Sequence, residues 1–220
     1  MAVSKSVWTF IAVPALVTLG ITILRLAGDL KHWPSPWFSN AAGGGLAIVG
    51  ISWLPLIFGP YFAVKLARSG DVPSSAWRPI GFALSGVAVM AVTGFAASAL
   101  NILGSFPGGF ILFLAAFAVA GALQRAGWPG LFRLLVVYGY AARIPVAILM
   151  FFAFQGNWGT HYDSLPPTAP TLSLWPKFIW FGFLPQMIVW VSFTLMAGSL
   201  IGGIAVALVP RGKTVAQAAA

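Results

Sequence analysis

The chain has 220 residues, of which 60% are apolar and only 7% charged. A soluble domain carries about a quarter of its residues as Asp, Glu, Lys or Arg. So few charges cannot coat a water-facing surface, which excludes a soluble globular enzyme and a disordered chain, and the absence of cysteine excludes a disulfide scaffold and thiolate metal sites.

The solvent that accepts such a chain is a lipid bilayer. The expected fold is an all-α polytopic integral membrane bundle of six transmembrane helices, forming one membrane domain over residues 1–220. Twelve Lys and Arg against three Asp and Glu give a net charge of +9. The basic residues are scattered singly, with no Lys/Arg run, so no nucleic-acid partner is expected. Their role is read as topological, holding cytoplasmic loops against anionic lipid.

Crossing the hydrocarbon core takes about 20 apolar residues. The first span is expected over 7–27. Lys5 precedes it, as in a signal peptide, but no small-x-small cleavage site precedes Arg25, so it reads as a retained span. A loop over 28–42 follows, with Trp33, Pro34, Pro36 and Trp37. The second span, 45–64, comes after the run Gly43, Gly44, Gly45. Pro55, Gly59 and Pro60 interrupt it and read as plain kinks, because the other half of the chain has no matching break. The third span, 80–103, meets the short fourth, 108–123, through the turn Gly104, Ser105, Phe106, Pro107. A second tight turn, 126–130, leads to the fifth span, 131–154. A loop over 155–177 carries Trp158 and Trp175; with Trp33 and Trp37, these indoles are expected to order both loops at headgroup level. The sixth span, 178–209, would be about 48 Å of helix at 1.5 Å per residue. It must tilt or kink, and Pro185, which lacks a backbone donor, is the expected kink. Gly198 and Gly202 form a helix-packing motif there, and Gly94 with Ser98 a looser one in the third span.

Basic residues near span ends set the expected orientation. Lys5, Lys65, Arg68, Arg78, Arg125, Arg133, Arg211 and Lys213 fall on one side, and Arg25, Lys31 and Lys177 on the other. That bias places both termini in the cytoplasm and both long loops outside. The expected location is a bacterial-type plasma (inner) membrane.

Arg143 is the most informative residue. It lies about 12 residues into the fifth span, roughly 18 Å along the helix. A charge at that depth costs at least about 2.5–3.5 kcal/mol on insertion scales. Small neighbours, Gly139 and Ala147, let another helix approach that face. No span contains Asp or Glu, so the expected partner is an exchangeable anion, a lipid phosphate or a carboxylate. A structural arginine bonded to carbonyls, Tyr140 or Gln186 is the competing reading. Arg143, Tyr140 and Gln186 are the candidate ligand-binding residues.

The loops at the opposite end from most basic residues hold the second set of candidates: Asp29, His32, His161 and Asp163. Their spacing matches no established metal motif, so no metal is expected, and Arg25 with Asp29 at i, i+4 reads as an ion pair at a helix end. A serine hydrolase lacks its G-x-S-x-G elbow. Dihaem chemistry lacks histidines within spans. Proton-coupled pumping lacks intramembrane carboxylates, and no P-loop is present. No cofactor or catalytic residue is assigned. The leading expectation is a non-catalytic binding or transport module, or a subunit of a larger membrane complex, holding an anionic lipid or small solute near Arg143. Its partners are the lipid bilayer, that ligand and other membrane subunits. The alternative is a membrane enzyme acting on a lipid or isoprenoid phosphate, with Arg143 and His161 at its site.

Overall fold

The computed structural model describes residues 7–45 and 47–208. Lys5, Arg211 and Lys213, which contribute to the expected orientation, lie outside the described residues, as do Leu46 and Val209 of the second and sixth expected spans.

Among the described residues the regular structure is entirely helical. The helices are α1 (Trp8–Leu30), α2 (Leu54–Arg68), α3 (Trp77–Ala99), α4 (Gly108–Gly127), α5 (Pro129–Gly156) and the continuous α6 (Leu174–Leu208). Five of them, all but α2, are long and apolar enough to cross a membrane. That is compatible with a multi-pass membrane protein.

The second expected span differs from its sequence reading. Only Leu54–Arg68 is helical, 15 residues, fewer than the roughly 20 that a crossing takes. Residues 47–53 form bends and turns instead. Pro55 suits the boundary, whereas Pro60 lies inside the helix. Pro55 occupies the first helical turn, where its missing N–H would be unpaired anyway. The glycine run upstream adopts left-handed backbone, with Gly44 at φ +83° and Gly45 at +56°, which a side chain would resist. The break before Pro55 is therefore a non-helical lead-in to α2, while Gly59 and Pro60 stand within the helix.

The long last helix also departs from α geometry. Phe178–Phe183 and Pro185–Trp190 are π-helical, flanking Leu184. The missing donor of Pro185 is thus absorbed by local widening over two turns, and the helix continues to Leu208.

Helix α6 is the hub, touching α2, α3, α4 and α5, whereas α1 packs on α5 and α2. Glycine makes the closest approaches. A Cβ placed on Gly59 of α2 would stand 2.6 Å from the Gly198 backbone, and one on Gly202 would stand 3.0 Å from the Gly59 carbonyl oxygen. The Gly198/Gly202 motif is therefore the α2–α6 seam. Among the described residues nothing lies within 4 Å of a Cβ placed on Gly94, so the looser motif faces away from them.

Two apolar clusters result. One joins Phe10, Phe62, Leu131, Leu135, Tyr138 and Leu195. The other, nearer the two long loops, joins Val146, Met150, Ala153, Phe154 and Tyr162. On α5, Arg143 falls between Tyr138 and Val146, at the junction of the two clusters.

Candidate functional site

A polar stripe in α1 begins the site. Thr18, Thr22, Arg25 and Asp29 recur every three or four residues and are all buried on the bundle face. Both threonine hydroxyls donate to the carbonyl one turn back, Thr18 to Pro14 at 2.7 Å and Thr22 to Thr18 at 2.9 Å. These bonds satisfy the hydroxyls inside an apolar helix.

Arg25 ties this stripe to the lead-in of α2. Its Nε donates to Asp29 Oδ1 at 2.9 Å, as the i, i+4 spacing implied. Its terminal nitrogens donate to the carbonyls of Ser39, Gly44 and Val49. An irregular backbone away from water needs such partners, and one guanidinium supplies three. The second oxygen of Asp29 takes His161 Nδ1 from the other long loop. Asn40 reaches across to the Gly159 carbonyl at 2.7 Å. The two loops are thus tied to each other and to the end of α1.

Burial holds the His161 imidazole below its usual pKa, and the positive charge of Arg25 acts in the same direction, while the hydrogen bond to Asp29 opposes both. We read the histidine as neutral, because Arg25 already neutralises Asp29. Burial and the Asp29 charge push the Tyr162 phenol above its usual range, so it stays a donor; it lies 3.3 Å from the Thr22 carbonyl.

Beneath these loops lies a cavity of about 470 Å³, within the roughly 300–1,000 Å³ typical of ligand sites. Arg143 lines it at mid-helix and is only 4% exposed. Its guanidinium lies over the Trp190 ring, 4.6 Å from the centroid, a cation–π contact. One terminal nitrogen reaches Gln186 Oε1 at 3.5 Å, the outer limit of a hydrogen bond, and Nε has no acceptor. No carboxylate pairs with it among the described residues. Gln186 in turn donates to Met150 Sδ at 3.4 Å.

The other candidate residues are placed less uniformly. Tyr140 is 40% exposed and lies outside the buried stripe of α5, so it does not line the cavity beside Arg143. The tyrosine that turns inward is Tyr138, bonded to Thr18 at 2.9 Å. His32 is exposed, in left-handed backbone at φ +52°, three residues past Asp29 but off its cluster. Asp163 is spent on its own loop, accepting from the Gly159 and Thr160 backbone and the Thr160 hydroxyl. His161 shares the cavity with Arg143. Among the described residues no three His, Asp or Glu side chains converge as metal ligands.

Sequence reasoning singled out Arg143, Gln186 and His161 but missed Thr22, Tyr162, Trp190 and the wider reach of Arg25. The polar spacing 18, 22, 25, 29 was the signal available for α1. Nothing in the sequence marked Trp190, whose contact depends on how α5 and α6 cross. Comparison with protein-family models, with curated proteins and with solved structures finds no match.

Proposed function

We propose that this chain is a non-catalytic multi-pass membrane protein that binds or transports an anion, lipid or small solute, with Arg143 as the charge-recognising group. It acts alone or as a subunit of a larger membrane complex. In this reading the end rich in Lys and Arg faces the cytoplasm of a bacterial-type inner membrane, and the tied loops face outward. One observation carries the proposal: a buried, permanently charged guanidinium borders a ligand-sized cavity with a free Nε and no carboxylate partner. An uncompensated charge in an apolar interior costs several kcal/mol on the order of its desolvation, and an exchangeable oxyanion offsets that. The enzyme alternative has less support. There His161 would act as acid or base on the phosphate, but its Nδ1 is engaged by Asp29 in the contact that ties the second loop to the end of α1.

The test replaces Arg143 with leucine and measures thermal unfolding together with copurifying anions by native mass spectrometry. The proposal expects the bound anion to disappear while the protein stays folded, since the desolvation cost is removed. A leucine variant that keeps the wild-type complement of ligands and is less stable would show a structural arginine instead.

A further inference from the structure

The lining of the cavity is of two kinds. His161, Tyr162, Thr22, Arg143 and Gln186 supply polar groups. Apolar side chains line it as well, Ile51 and Trp53 on the non-helical lead-in to α2, and Phe110 and Phe113 on the first turns of α4. Helices α2 and α4 make no close approach to each other, since α6 separates them. Near their starts two residues of the cavity lining are exposed, Trp53 at 41% and Phe113 at 42%. From the loop end the approach is crossed by ties: Asn40 to Gly159, Arg25 to Ser39 and Gly44, and Asp29 to His161. The large exposed side chains of the cavity lining, Trp53 and Phe113, are thus both apolar.

Resting on that reading of Arg143, we infer that the ligand is an anionic amphiphile that enters sideways from the bilayer between the α2 lead-in and the start of α4. Its oxyanion head reaches Arg143, and its hydrocarbon chain stays in the portal framed by Ile51, Trp53, Phe110 and Phe113. A guanidinium fork suits a phosphate or carboxylate head, and aromatic walls suit a chain. A free inorganic anion has the same head chemistry but nothing to fill the apolar portal.

Binding is measured in nanodiscs with three probes: dioleoyl phosphatidic acid, inorganic phosphate, and dioleoyl phosphatidylcholine as the neutral lipid. Gly50→Phe plugs the portal from the lead-in. A Cβ there meets nothing nearer than the Ala47 carbonyl oxygen at 4.0 Å, so the ring projects into open space. Phe113→Trp narrows the portal from α4 at an already exposed site and serves as the second variant should Gly50→Phe fail to fold. Wild-type protein is expected to retain phosphatidic acid over phosphatidylcholine, with inorganic phosphate failing to compete. Arg143→Gln should weaken that retention about tenfold or more, the loss of a charge-assisted contact, and the portal variants should weaken it while leaving thermal unfolding near wild type. Arg143-dependent binding of inorganic phosphate, unaffected by the portal variants, would overturn lateral entry and leave the anion site standing. Retention of phosphatidic acid unchanged by the portal variants would likewise overturn it. Binding of neither anion with any dependence on Arg143 would overturn both.

Discussion

Two buried arginines of the same chain meet burial in opposite ways. Arg25 is fully employed by Asp29 and three carbonyls. Arg143 has an aromatic face, one long contact and a free Nε. The first is a structural clamp, and breaking it should be costly. Asp29→Asn leaves the Arg25 charge buried without a counter-charge, and should lower stability by about 3–5 kcal/mol, measured by denaturation in mild detergent. His161 adds a pH dependence. Its folded pKa lies below the ordinary value of about 6.5. Below that pH the unfolded chain therefore binds more protons than the folded one. Stability is fully present above about 6.5 and falls as pH drops through that value. Thermal unfolding between pH 7.5 and about 5 should show the decline, and His161→Gln should flatten it. A wild-type protein whose stability rose on acidification would contradict a neutral folded histidine.

At the scale of elements, the α2–α6 seam carries the closest backbone contact. Without a hydrophobic drive between helices in lipid, close packing supplies much of the association energy. Gly59 leaves no room for a side chain, since a Cβ there would meet the Gly198 backbone at 2.6 Å. Gly59→Val should therefore destabilise by about 1–3 kcal/mol, the usual range for overpacking. Gly94→Val is the matched control, because among the described residues nothing lies within 4 Å of a Cβ there; its midpoint in the same thermal scan should stay near wild type. Equal effects of the two changes would mean that helix propensity, not the seam, was being measured. The same seam holds the short α2 in place, and so positions the lead-in that walls the cavity.

At the scale of the whole molecule, the clamp, the seam and the hub helix place both long loops at one end. Under the proposed six crossings both loops fall on one side of the membrane, although only five of the helices described are long and apolar enough to cross. Reporter fusions at Thr168 and at Ala220 should then report opposite sides of the membrane, with Ala220 in the cytoplasm. Opposite activity at Ala220 would reverse the orientation derived from basic residues. Protease added to the loop side should cut 155–177 slowly, because Asp163 caps that loop internally and Asn40 and Asp29 hold it.

Composition and apolar run length by themselves determined the helical class and the approximate place of the five long helices, because both depend on local properties of each segment. The depth of Arg143 was legible for the same reason, being a count along one helix. Its neighbours were not. Tyr140 is closer in sequence than Gly139, yet it is exposed, and the packing of α5 on α6 brings Trp190, 47 positions away, onto the guanidinium. The unwinding before α2 was equally hidden. Apolar residues around Ile48 and Ile51 read as helix, but the Arg25 guanidinium arriving from α1, the Trp53 indole and the carbonyls of Pro36 and Trp37 satisfy non-helical backbone there. Likewise, the Asp29–His161 contact spans 132 positions. A hydrogen bond or a cavity wall requires two segments to meet, and where they meet is decided by packing of the whole bundle.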